Sequence, residues 1–350
     1  MAQPLARRPD AEHLILRILH DTKYDFIKFW KTAVITTAGF ILLGMALMFY
    51  HKGRTGHYLN YSVEFTGGAV VQLQFSKAPG ADAVRAAVNE TGFVGAEVTS
   101  FGDANNYMVR VPPKSGEASA INADSVGSQI AAVLHKRLPA DSAKVVQAQA
   151  VGARVGAELQ TKAITAILIS FVVTLIYLAF RFEWRFGVAA IAASAHDILT
   201  TLAFVAMMHL EISLTVVAAI LTVIGYSLND TIIIFDRVRE NLKKQRKESL
   251  REVLNRSINE TLPRSVLTHA TVFAATLSLL FFAGEVIRPF SWLMAFGVFT
   301  GTFSSIYVAG PILLWIEHKY PRAAATESKG TSRALAEDRR REKRDPVGTR

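Results

Sequence analysis

The residues that could do chemistry in this chain are few, and they stand where charge is costly. His196 and Asp197 lie side by side near the middle of an apolar run, with Ser194 and Thr201 at helical spacing from Asp197. Asn229 and Asp230 occupy a second run, one turn after Tyr226. Arg264 opens a third, and Thr268, Thr271, Ala275 and Ser278 follow it on one helical face. A charged side chain at the centre of a membrane span costs about 2.5–3.5 kcal/mol on insertion scales, so each needs a reason. A carboxylate in a low-dielectric medium holds its charge at a cost, which suits Asp230 to cycle between charged and neutral forms. Arg264, at similar depth, would stabilise the charged form and be released when a proton arrives. That is the minimum apparatus for coupling an ion gradient to movement. His196 and Asp197 read either as a proton relay or as a pair that satisfies itself. The hydroxyls and Asn229 read as hydrogen-bonding glue between helices, with Tyr226 beside them. His269 reads as incidental.

The elements that must position these groups are membrane helices. A hydrocarbon core about 30 Å thick needs roughly 20 apolar residues of helix. Six segments qualify: Ala33–Tyr50, Ala163–Phe180, Gly187–Met208, Ser213–Phe235, Ser265–Ala283 and Trp292–Ile316. The first starts too far in, and lacks a small-residue cleavage site, so it reads as a permanent anchor rather than a signal peptide. In the sixth, Gly297 and Gly301 form GxxxG, a face for close helix packing. Lysine and arginine crowd the N-terminal segment, the Arg181–Arg185 link and the stretch from Arg237 to Arg256, while the links at His209–Ile212 and Gly284–Ser291 have almost none. Both termini are therefore expected on the cytoplasmic side. Asp236, Arg237, Arg239 and Glu240 then lie at headgroup level and anchor the fourth span.

One long loop remains, and it alternates strand and helix patterns. Ala69–Phe75, Glu97–Phe101, Tyr107–Val111 and Ala143–Val151 read as strands, and Ala81–Thr91 and Asn122–Leu138 as helices with Val84, Ala87, Val88, Ile130, Val133 and Leu134 inward. The order βαββαβ is that of a ferredoxin-like α+β domain. Val111 to Gly116 reads as a linker. Gly67 and Gly68, after Glu64, permit a tight turn or a close backbone approach before the first strand. The organisation is a cytoplasmic segment 1–31, a first span 32–50, an α+β domain 51–162, five further spans in 163–316, and a basic tail 317–350 expected to be disordered.

Composition agrees. The chain has 350 residues, 51% hydrophobic and 19% charged, with formal charge +10 and mean hydropathy +0.26. That is an average of membrane spans and a water-soluble domain. The positive charge is mostly a topology signal, which displaces nucleic-acid binding as its explanation. No cysteine is present, which excludes disulfides, thiolate metal sites and thiol catalysis. There is no phosphate-binding glycine loop with lysine, no metal-ligand spacing and no nucleophile elbow, so neither an enzyme nor a cofactor is expected.

The stretch Ser227-Leu228-Asn229-Asp230 through Phe235-Asp236-Arg237-Val238-Arg239-Glu240-Asn241 closely resembles the signature of the SecF family of bacterial preprotein-translocase membrane subunits. Glu64–Gly68 resembles that family's DFTGG, with Glu64 where Asp is usual. Val151–Leu159, His196–Thr201 and Arg264–Thr271 also match, with His269 at a position expected to be small and polar. The likeness covers about residues 20–320. It implies the resistance–nodulation–division superfamily, an inner-membrane location and a periplasmic α+β domain. Implied partners are SecD, the SecYEG channel, YajC and unfolded preprotein clients. The implied work is to use the proton-motive force to draw preproteins outward after the SecA-driven step. Asp230 and Arg264 match positions assigned to proton transfer, with Thr268 beside that path. Two rivals stay open: a passive translocase scaffold, and a superfamily half-transporter for lipid or small molecules. The half-transporter would need a larger soluble region and more spans.

Overall fold

The computed structural model describes residues 22–93, 95–100, 102–113, 122–138, 143–244, 248–283 and 287–321. Most of the basic tail, the first 21 residues and parts of the expected Val111–Gly116 linker and Gly284–Ser291 link lie outside the described residues.

A short 3-10 turn, Phe26–Phe29, leads into helix α1 (Trp30–Thr55), which Gly56 ends in the left-handed conformation at φ 81°. Next come a two-residue strand β1 (Asn60–Tyr61), the one-turn helix α2 (Val63–Thr66) and strand β2 (Gly68–Phe75). Helix α3 (Ala81–Asn89), strands β3 (Glu97–Ser100) and β4 (Asn106–Val111), helix α4 (Ala123–Arg137) and strand β5 (Ala143–Val151) complete the soluble part. Helix α5 (Ala153–Arg181) follows, then α6 (Trp184–Met207), strand β6 (Glu211–Ile212) and α7 (Leu214–Lys244). Helix α8 (Leu250–Phe282), α9 (Arg288–Ser304), a π turn (Ser305–Ala309) and α10 (Gly310–Lys319) end the described chain.

Among the described residues, six helices are long and apolar enough to cross a membrane, the last being α9 to α10 taken together. α7 and α8 run well past the apolar stretches that betray them. Beyond Phe235 the chain is polar but still helix-forming, and α8 is started by a capping box in which Ser249 and Glu252 satisfy each other's backbone N–H groups. These extensions pair: Asn241 donates to Ser257 Oγ (3.0 Å) and Glu260 Oε2 (2.7 Å), and Arg237 Nε donates to Glu260 at 2.6 Å. Asp236 accepts from Arg181 at the end of α5. The charged half of the signature thus ties three helix ends together.

The soluble part is the expected ferredoxin-like sandwich. Its antiparallel sheet has the order β3-β4-β2-β5, which places the first strand centrally, between the third and the fourth. Ala69, Val71, Leu73 and Phe75 alternate inward against Val84, Val88, Ile130 and Leu134, all buried. Asn122 caps α4, its side chain accepting from the N–H groups of Asp124 and Ser125. A second, tiny sheet escaped the sequence pattern: β1 pairs in parallel with β6, Asn60 opposite Glu211 and Tyr61 opposite Ile212. It joins the segment before the domain to the link between the third and fourth spans.

A candidate intramembrane polar site

Polar residues from four helices meet at one depth. Ser194, Asp197, Thr200 and Thr201 come from α6, Ser227, Asp230 and Thr231 from α7, Ser265 from α8, and Ser304 and Ser305 from the junction of α9 and the π turn; all are buried. On one side along the helices lies an apolar cluster including Phe186, Phe235, Leu254 and Leu313; on the other lies one including Val205, Val216, Ile220 and Leu293. A polar layer between two apolar ones must satisfy its groups internally.

Asp197 achieves this. Ser227 and Ser304 both donate to its Oδ2, the latter at 2.8 Å, and His196 Nδ1 lies 3.1 Å from its Oδ1. Three helices therefore converge on one carboxylate. Beside it Thr231 and Ser305 hydroxyls meet at 2.7 Å. The approach depends on the GxxxG face: a Cβ on Gly301 would fall 2.9 Å from Ser227 Cβ, and one on Gly297 would fall 3.0 Å from Val223 Cβ. Gly297 and Gly301 thus pack on the fourth span, a partner that their spacing alone does not name.

Asp230 is different. Its Oδ1 accepts from Ser265, while Oδ2 is buried with no hydrogen-bond partner among the described residues. Tyr226 and His269 stand next to it with their rings edge to face at 5.1 Å, and Tyr226 Oη and His269 Nε2 also lack partners. His269 Nδ1 is 2.5 Å from the Ser265 carbonyl, which can only accept, so Nδ1 carries a proton. His269 also lines a groove of about 400 Å³ between α8 and the last span. A carboxylate, a phenol and an imidazole thus share one incompletely bonded spot.

Arg264 is not part of that spot. It is exposed, and among the described residues it forms no ion pair. Successive helix residues are turned by about 100°, so with Ser265 facing Asp230, residue 264 points outward. The expected attraction between Asp230 and Arg264 is therefore corrected: Ser265 and His269 occupy the facing positions, and His269 is not incidental to the packing. Thr268 shares the outward face, donating to the Arg264 carbonyl at 2.9 Å, and Thr271 and Ser278 bond back to their own helix. Asn229 is exposed as well, rotated away from the interface that Asp230 enters, so it is not interhelical glue in this chain.

The glycine motif lies at the far end of the same helices. Gly67 and Gly68 both have positive φ, 75° and 108°. A Cβ on Gly67 would fall 2.6 Å from Ala153 Cα, so the turn and the close approach both require glycine. Glu64 Oε2 accepts the backbone N–H of Leu214 at 2.6 Å, capping the helix that carries Asp230.

The architecture has known counterparts. The family model described as protein export membrane protein SecD/SecF, C-terminal, matches residues 129–319, and the SecD/SecF GG motif matches residues 59–79. The chain belongs to the SecD/SecF family. A protein named protein translocase subunit SecF from Gemmatimonas aurantiaca is 52% identical over 92% of this chain and 100% of its own length. The SecF of Escherichia coli O157:H7 is 36% identical over 87% of this chain and 91% of its own. The crystal structure of SecDF from Thermus thermophilus, a translocon-associated membrane protein, superposes with TM-score 0.75 at 33% identity. It covers 87% of this chain, which spans 39% of that longer one.

Ser227, Ser265, Ser304 and Ser305 are the site residues that motif reading passed over. Their signal was available: Ser227 lies three residues before Asp230, and Ser304 three after Gly301, so each shares a helical face with a residue already singled out.

Proposed function

We propose that this chain is an accessory subunit of a bacterial Sec protein translocase, paired with SecD in the inner membrane. Both termini face the cytoplasm and the α+β domain, residues 68–151, faces the periplasm. Its relatives' names and the basic links support this reading. In it, the proton-motive force helps draw preproteins from the SecYEG channel after the SecA-driven step, with YajC as an associated subunit. The chain makes and breaks no covalent bond and needs no cofactor.

The observation that carries the coupling role is the buried, half-bonded carboxylate of Asp230. A proton arriving at Oδ2 would neutralise it, change what Ser265 and the facing helix gain from packing there, and shift α7 against α8. Tyr226 and His269 are placed to pass or hold that proton. Asp197, with partners on both oxygens, serves packing. Arg264 enters the relay through the partner: a mid-depth arginine on an outward face is expensive unless a second chain covers it. The stripe Arg264, Thr268 and Thr271 is the face we assign to SecD.

The test is pulse-chase export of a signal-peptide-bearing preprotein in cells whose only copy carries Asp230→Asn. The variant must remain inserted and co-purify with SecD. Slow precursor processing, reproduced in wild type by a protonophore, supports the coupling role. Normal processing with intact assembly would leave a passive scaffold.

A further inference from the structure

The α+β domain is attached to the membrane helices by two adjacent strands. The chain enters it through Gly67-Gly68 and leaves it through Val151-Gly152, and Gly68 pairs with Val151 in the sheet. These two side-by-side connections mark the line along which the domain meets the membrane helices. A cleft of about 660 Å³, lined in part by His51, His57, Gln160 and His209, opens between the domain and the span ends beside that line.

Next to that line, among the described residues, Arg110 supplies the polar contacts from the domain to the membrane side. Arg110, on β4 of the domain, donates to Asn60 Oδ1 at 3.2 Å and to the Tyr61 carbonyl at 3.0 Å, and pairs with Glu211 Oε1 at 2.5 Å. Those three acceptors belong to the membrane-side ribbon of β1 and β6. Glu64, on the membrane side, caps α7 directly after that ribbon. Glu97 on β3 lies opposite Arg110 in the sheet. Arg110 thus pairs with Glu211, and the charges of Glu64 and Glu97 both act on that same Glu211.

We propose that Arg110, Glu211, Glu64 and Glu97 form a proton-linked latch, in which docking of the domain onto the outer end of the fourth span takes up a proton. Docking brings Glu64 and Glu211 of the membrane side together with Glu97 of the domain, and Arg110 neutralises one charge of the three. In the docked state Glu211 is pushed above the usual carboxylate range by burial, against the pull of Arg110, and further by the Glu64 and Glu97 charges. Released, Glu211 would regain water and distance from Glu97. The docked state thus holds the proton more tightly, and by linkage acid favours docking, while rising pH favours release. A neutral Glu211 still accepts the Arg110 N–H, so protonation keeps the contact and removes the repulsion. His51, His57, His209 and Tyr61 are the other titratable groups lining the cleft beside this contact.

The latch stands apart from the Asp230 reading, because its test reads a distance rather than export. The chain has no cysteine, so Ser128→Cys on the exposed face of α4 and Phe282→Cys at the domain-side end of α8 accept spin labels at those positions alone. Double electron–electron resonance on the full chain in nanodiscs, from pH 5 to 8, should show a narrow docked distance at acid pH. The docked-to-released ratio should fall by up to about tenfold per pH unit for one linked proton. Glu211→Gln should stay docked across the range, and Arg110→Gln should be released across it. A wild-type distance distribution that does not change with pH, or a Glu211→Gln variant that titrates as wild type does, would overturn the proposal.

Discussion

Asp197 and Asp230 are both buried carboxylates in one polar layer, 1% and 3% exposed, yet they are bonded very differently. Asp197 gathers hydroxyls from α7 and α9 and its neighbouring imidazole, so both of its oxygens have partners, while His196 Nε2 has none among the described residues. Asp230 has one hydroxyl, an unpartnered oxygen, and two further unpartnered polar atoms beside it. Burial alone therefore does not mark a working carboxylate; the count of its donors does. A saturated carboxylate locks helices together, and an unsaturated one leaves a neighbouring state within reach.

The contrast can be broken most forcefully at Asp197. Asp197→Ala takes the partner from Ser227 and His196, leaves Ser304 only the Gly301 carbonyl, and should cost about 3 kcal/mol or more of stability. Asp230→Asn, which keeps an acceptor for Ser265, should cost under about 1 kcal/mol. Denaturant unfolding in detergent compares the two, and equal losses would erase the distinction. Gly301→Val comes next. Its side chain would strike Ser227, and overpacking of this kind costs about 1–3 kcal/mol; a thermal midpoint unchanged from wild type would mean that α7 and α9 are looser than described.

A finer test sits on the single donors. Ser265→Ala should lose about 1 kcal/mol and leave Asp230 without its hydroxyl. If Asp230 is the poised group, the pH profile of export should shift in this variant, whereas Ser304→Ala should change stability and leave that profile in place. The smallest effect is expected at Asn229→Ala, within about 0.5 kcal/mol by the same unfolding assay, since its side chain is exposed. A larger loss there would restore Asn229 to the interface.

How far the residues foretold this arrangement differs by level. The alternation of Ala69, Val71, Leu73 and Phe75 and the helical stripe of Val84, Ala87 and Val88 announced the domain, because each pattern has a period that only one secondary structure satisfies. The spans were legible because apolar length is itself the signal. The β1–β6 ribbon was not, since two residues carry no period. Arg264 shows the limit most clearly. Its depth was legible, but depth and facing are separate quantities, and a rotation of one residue carries a side chain from the interface to the outer face.

By itself, then, the sequence determined the number of spans, the strands and helices of the soluble domain, and the depth of every costly side chain, because these depend on local periodicity and transfer cost. Only the tertiary structure decided that both oxygens of Asp197 have partners and Asp230 Oδ2 does not, that Ser265 rather than Arg264 meets Asp230, and that Arg110 and Glu211, 101 positions apart, close on each other. Those outcomes depend on how helices rotate and approach, which is set where glycines at 297 and 301 let two backbones come close.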